Sequence, residues 1–238
     1  HMQYHNEGGA IERAALEITQ RLARAMPKHK KYFNTSFGQE VDSQGNRTYA
    51  TDVVMIVDRN GTTSFSFQSR MNSAVRAAEK HWSQGKGRVA IVTWCATFNN
   101  VAYNSTGFLE NNLSSRARLD DFVENNQYCG TLRHDSAHAY AMTVALDSVQ
   151  WRPNTEKAIQ TLSEYTPSDP GNALLKGYIT RRAAEIDPVN IYIISKADED
   201  MSFVNYITDA TAGRAFIYDD TSDVDEIINR VTEHIIEK

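Results

Sequence analysis

A carboxylate, an amide and a hydroxyl stand two residues apart at Asp58, Asn60 and Thr62, directly behind an uninterrupted apolar run over 53–57. All three supply hard oxygen donors, the kind that Mg2+ and Ca2+ select. Side chains spaced by two project to one side of an extended segment, and Gly61 lets the backbone turn tightly among them. The same stretch also reads as an ordinary buried strand followed by a polar turn. A second pair, His134 and His138, lies four residues apart, so both imidazoles would share one helix face, as in the zinc hydrolase pattern His-Glu-x-x-His. Cys129, Asp147 or a distant carboxylate would be the third ligand. Against that reading, the general base would be the shorter Asp135, and no later zinc-ligand motif follows. Asp135 or Ser136 as a helix N-cap, with both histidines as ordinary polar residues, is the simpler account. There is no Gly-x-Ser-x-Gly elbow, phosphate-binding glycine loop or dinucleotide fingerprint. Cys95 and Cys129 fit neither a redox Cys-x-x-Cys nor a zinc site. They read as two unpaired buried thiols or as one disulfide of an exported protein.

Periodicity supplies the elements that must place these groups. Short apolar runs at 53–57, 89–95 and 189–194, with 157–162 (interrupted by Gln160) and 215–218, predict strands. Helices are predicted over about 69–82, 136–149, 173–185 and 203–210. A last helix starts near Asp223, with Glu226 three residues on in a capping-box arrangement, and runs to the end. This alternation predicts an α/β fold: a doubly wound, mostly parallel sheet with helices on both faces, Rossmann-like. Asp58 then falls at the carboxyl end of its strand, where ligands bind in open α/β sheets. Upstream, Ile11, Ala15, Ile18 and Leu22 recur at helical spacing over about 10–26, stopped by Pro27, and a hairpin is expected to turn at 43–46. Residues 96–134 are rich in Asn and Ser. Only a short helical piece at about 119–124 and one edge strand are predicted there. The organisation expected is an extension over 1–50 and one domain over 51–238 with a polar insertion at about 96–134.

The chain has 238 residues, enough for a substantial core. Its mixed charge, formally -5, argues against nonspecific nucleic-acid binding. No run approaches the roughly 20 apolar residues of a membrane span, so this sequence is not expected to insert into one. His1-Met2 reads as a cloning remnant, so a native export signal is expected to lie outside the sequence. Asn-x-Ser/Thr sequons at Asn34, Asn46, Asn60, Asn104 and Asn112 are what an Asn- and Ser-rich chain yields by chance. A glycan on Asn60 would block the oxygen-rich loop, which makes a eukaryotic secretory origin the less expected one.

The order of these signals over about 50–238 resembles a von Willebrand factor type A domain. That family's metal-ion-dependent adhesion site opens with Asp-x-Ser-x-Ser after the first core strand. Asp58-Arg-Asn60-Gly-Thr62 stands in that place, with the Asp kept and both serines exchanged for other oxygen donors. The family's Thr ahead of an Ala-Leu helix is matched by Ser136, with Thr131 as rival, in a stretch that precedes Ala145-Leu146. Its Asp after the next strand is matched by Glu164. The stretches 186–194 and 211–216 resemble the last two strands and the turn between them.

The resemblance implies a site for Mg2+, or for Mn2+ or Ca2+, held by Asp58, Asn60, Thr62, Ser136 and Glu164. An Asp or Glu side chain of a partner protein would complete the coordination. Two departures bear on this: Asn60 offers a carbonyl oxygen on a longer arm, and Glu164 adds a methylene. Mg2+ demands near-ideal octahedral geometry at about 2.1 Å, so the added length matters. The resemblance also places Cys95 at the metal end of its strand and Cys129 in the loop leading to Ser136, where a disulfide would hold that loop beside the site. The function implied is non-enzymatic: a divalent-cation-dependent protein-binding (adhesion) module of an extracellular or cell-surface bacterial protein, cut from a longer chain. Residues 96–134 would help set partner choice. The alternatives are a metal-free von Willebrand A scaffold for structural assembly and a zinc hydrolase using His134 and His138.

Overall fold

The computed structural model describes residues 40–41, 47–48, 50–83, 87–153, 155–168, 173–186, 188–196, 200–219 and 222–236. In chain order the elements are β1 (Glu40–Val41), β2 (Arg47–Thr48), β3 (Thr51–Asp58), α1 (Ser64–Ser83), β4 (Arg88–Ala96), β5 (Val101–Ser105), α2 (Leu113–Asn125) and α3 (Asp135–Asp147). Then come β6 (Glu156–Leu162), α4 (Ala173–Glu185), β7 (Asn190–Lys196), α5 (Ser202–Ala210), β8 (Arg214–Tyr218) and α6 (Val224–Ile236). β1 and β2 pair antiparallel, as a hairpin turning at 43–46 requires. That turn, and the helix expected over 10–26, lie outside the described residues.

One six-stranded sheet, ordered β5-β4-β3-β6-β7-β8, sets the site. All neighbours run parallel except β5, which pairs antiparallel with β4 at one edge. Every residue of β3 is buried, because helices cover both faces, and so its sequence runs apolar without alternating. Successive side chains nevertheless serve opposite layers. Val54 and Ile56 pack in the cluster that contains Met142 of α3, Ile179 of α4 and Ile207 of α5. Val53, Met55 and Val57 pack in the cluster of Phe67 and Met71 from α1 and Val231 from α6. Each large apolar side chain buried this way contributes about 1.5–3 kcal/mol. The doubly wound arrangement expected from the alternation is therefore the one observed.

Polar clamps fix the ends of the layers. At the amino end of β3, the fully buried Asp52 carboxylate accepts from Arg88 (Nη2, 2.7 Å) and from Arg152 (Nη2, 2.7 Å; backbone N, 2.8 Å). On the outer layer, Arg76 pairs with Asp225 and Lys80 with Glu233, tying α1 to α6. The turn into β8 needs Gly213, since a Cβ there would lie 1.7 Å from the Ile191 carbonyl oxygen.

Two helices differ from the expectation. α1 begins at Ser64 rather than about 69, because the Thr63 hydroxyl accepts from the Ser66 N–H at 3.0 Å and caps the helix there. α2 runs for 13 residues rather than as a short piece at 119–124, with Asn112 capping it through the Ser115 N–H at 2.8 Å. Ser115 and Leu119 are its buried residues, so its apolar period is too faint to read along the chain.

Candidate functional site at the carboxyl edge of the sheet

The strand β3 delivers Asp58 to the carboxyl edge, opposite Trp94 of β4. Its carboxyl is fully buried; one oxygen accepts from the Asn60 N–H and the other from the Ser163 hydroxyl, each at 2.7 Å. Burial pushes its pKa up to about 7, although Arg70, Ser163 and the Asn60 N–H all favour the charged form. Asn60 turns toward β4: its side-chain oxygen accepts from the Ala96 N–H at 2.8 Å, and its amide donates to the Ala96 carbonyl at 3.0 Å. That pair of bonds continues the sheet beyond the end of β3.

Glu164, just past β6, gathers the next group. Its carboxylate accepts from the Thr62 N–H (2.9 Å), the Thr62 hydroxyl (3.1 Å), the Ser66 hydroxyl and the Arg70 guanidinium (3.2 Å). Burial raises its pKa, but the Ser66 hydroxyl, the Thr62 N–H and the Arg70 charge outweigh that, and the carboxyl titrates below its ordinary value. Arg70 enters from the second turn of α1 and is itself buried. It also donates to the backbone carbonyls of Asp58 (3.1 Å) and Asn60 (2.6 Å). Packing rather than the turn calls for Gly61, whose φ is not in the left-handed region: a Cβ there would lie 2.9 Å from Arg70 Nη2 and 3.2 Å from Glu164 Oε1.

The far side of the loop is held by the chain that follows α2. Cys95 and Cys129 form a disulfide, with Cα atoms 6.1 Å apart. The Cys129 N–H donates to the Arg59 carbonyl (3.1 Å), the Gly61 N–H to the Gly130 carbonyl (3.1 Å) and the Tyr128 hydroxyl to the Gly61 carbonyl (3.0 Å). The segment 59–61 therefore lies between the disulfide-bound loop on one side and Arg70 with Glu164 on the other. Beside it, two phenylalanines stand in solvent: Phe65 in the first turn of α1, 82% exposed, and Phe98 after β4, 94% exposed.

Of the five residues expected around a cation, the structure brings Asp58, Thr62 and Glu164 to one end of the sheet. Asn60 is there too, but its side-chain oxygen is engaged by β4. Ser136 lies in the first turn of α3, its hydroxyl 3.3 Å from His134 Nδ1. That same nitrogen accepts from the Ala137 N–H at 3.0 Å, so His134, and not Asp135 or Ser136, caps α3. His138 points elsewhere, its Nδ1 3.0 Å from the Tyr165 carbonyl oxygen and its ring beside Trp94. Cys129, a candidate third zinc ligand, is consumed by the disulfide. Among the described residues no group of three or more His, Cys, Asp and Glu side chains could hold a metal ion. The residues present do not fit a Mg2+ site: the Asn60 side-chain oxygen is turned into β4, and the Arg70 guanidinium already faces the Glu164 carboxylate. Arg70, Ser66 and Ser163 were not foreseen. A signal existed for Arg70, which shares the helical stripe of Phe67, Met71 and Ala74 and so had to be buried.

No protein-family model and no curated protein matches the sequence. Among solved structures the chain is similar to a von Willebrand factor type A protein from Catenulispora acidiphila, with TM-score 0.57, 15% identity, and 80% of this chain and 43% of that one covered. It is also similar to proximal thread matrix protein 1 of the mussel byssus, with TM-score 0.54, 11% identity, and 80% and 46% covered. A third is the conserved hypothetical protein BatB from Bacteroides thetaiotaomicron, with TM-score 0.50, 9% identity, and 80% and 100% covered. The chain thus corresponds to under half the length of the first two and to the whole of the third. At these identities the likeness concerns the fold alone. The protein has the fold of a von Willebrand factor A domain.

Proposed function

We propose that this domain is a non-enzymatic protein-binding module that engages its partner with the carboxyl edge of the sheet. The observation that carries the reading is the pair of exposed phenylalanines, Phe65 and Phe98, flanking a loop immobilised from both sides. Large apolar side chains left in solvent beside a preorganised surface suit protein recognition, where aromatic anchors supply much of the binding energy. The polar groups nearby favour scaffolding over chemistry. Asp58 is committed to Asn60 and Ser163, and Glu164 to Thr62, Ser66 and Arg70, so neither is poised toward a substrate.

The setting proposed is the cell surface or another extracytoplasmic compartment, which the Cys95–Cys129 disulfide supports, since such bonds persist in oxidising environments. Among the described residues no helix is long and apolar enough to cross a membrane. The test is site-specific photocross-linking in the native cell, with the photoreactive residue at 65, at 98 or at 113. Leu113 is also exposed but starts α2, near the opposite end of the sheet. One discrete adduct from positions 65 and 98, absent from 113, is expected. Adducts from 113 alone, or none from any position, would overturn the reading.

A further inference from the structure

We propose that the Arg70 guanidinium takes the place of the divalent cation at this edge, so that the domain works without metal. The inference deepens the protein-binding reading and rests on it for its functional meaning. Its structural basis is independent. Arg70 and Glu164 are 3% and 4% exposed, and they meet as a buried ion pair at 3.2 Å. Beyond Glu164, the guanidinium reaches the carbonyl oxygens of Asp58 and Asn60 and the Ser66 hydroxyl at 3.3 Å. One carboxylate, two carbonyls and a hydroxyl are the kind of oxygen set that a hard cation gathers. Here a planar fork of N–H donors gathers them instead, and a guanidinium, being weakly hydrated, tolerates burial better than an ammonium.

The same assignment accounts for both departures from the adhesion motif. The extra methylene of Glu164 lets one carboxylate reach Arg70 on α1 and the N–H of Thr62 together. Asn60 turns its side chain into β4 and leaves its backbone carbonyl to Arg70 at 2.6 Å. Gly61 completes the cradle, because any side chain there would collide with the guanidinium. A dication placed among Asp58, Thr62 and Glu164 would sit against this fixed positive charge, in an interior that screens poorly.

The test is a titration of the chelator-stripped whole chain with Mn2+, reading free Mn2+ by electron paramagnetic resonance, with unfolding midpoints in EDTA and in Mn2+. The wild type is expected to show no saturable site and the same midpoint in both. Arg70→Met and Glu164→Gln are each expected to lower the midpoint, and the double variant to fall by less than their sum. Should Arg70→Met fail to fold, Arg70→Lys takes its place in the cycle, keeping the charge and losing the fork. A saturable Mn2+ site that disappears in Asp58→Ala, or strictly additive effects in the cycle, would overturn the inference. Neither result would touch the cross-linking pattern, so the binding surface and its metal independence stand or fall separately.

Discussion

Arg70 is the residue on which the edge turns. Removing one partner of a buried, hydrogen-bonded ion pair costs about 3–5 kcal/mol, because the other charge is left without compensation. Urea unfolding of Arg70→Met is expected to show a loss of that order, and Glu164→Gln a smaller one. Asp58 and His81 titrate in opposite senses. Asp58 is raised from 3.8 to about 7 by burial, so its contribution to stability is fully present below pH 3.8 and lost as pH rises through 7. Asp58→Asn, which mimics the neutral acid, is expected to gain on the wild type from pH 4 to 8. The gain is of order 4 kcal/mol at most, at about 1.4 kcal/mol per pKa unit. His81 is buried, with neither ring nitrogen partnered among the described residues, and burial lowers it from 6.5 to about 4. Its contribution is present above pH 6.5 and lost as pH falls through 4, so His81→Phe should flatten the acid limb of a stability profile. Asp58, Thr62 and Glu164 were legible as oxygen donors, since side-chain type and spacing are written in the sequence. Where the Asn60 side chain goes was not, because its partner Ala96 lies on another strand and only the sheet register brings them together. Arg70 was not singled out, because its partner Glu164 lies 94 residues away in sequence and only the fold brings the two together.

At the scale of elements, the disulfide is the strut of the loop. It links residues 34 apart in sequence, and closing a loop of that size is worth about 4 kcal/mol in the chain-entropy account. The Cys95→Ser, Cys129→Ser double variant is expected to lose stability of that order. Amide exchange should quicken at Gly61 and Cys129, whose N–H groups cross between the two segments. Unchanged exchange there would mean that the backbone bonds hold the loop unaided. The strands were legible because burial on both faces leaves an uninterrupted apolar run, as in β3 and β4. α2 was mostly hidden because it buries so little, and the early start of α1 was hidden because a Thr cap resembles any loop threonine.

Across the whole molecule the two ends of the sheet divide the work. The Asp52 clamp closes the amino end with Arg88 and Arg152, whereas the carboxyl end carries the loop, the disulfide and the exposed phenylalanines. Asp52→Ala is therefore expected to lower the unfolding midpoint while leaving the cross-linking pattern at 65 and 98 unchanged. The fold was readable from strand–helix alternation, a property summed over many residues. The site was only half readable, since the order of motifs along the chain does not say which groups they bond. The most direct measurement is a crystal structure of the whole chain grown in Mn2+, with an anomalous difference map at the carboxyl edge. The account predicts the Arg70 guanidinium against Glu164 and the Asn60 carbonyl, with no anomalous peak beside them. A peak bonded to Asp58, Thr62 or Glu164, with Arg70 displaced, would contradict it.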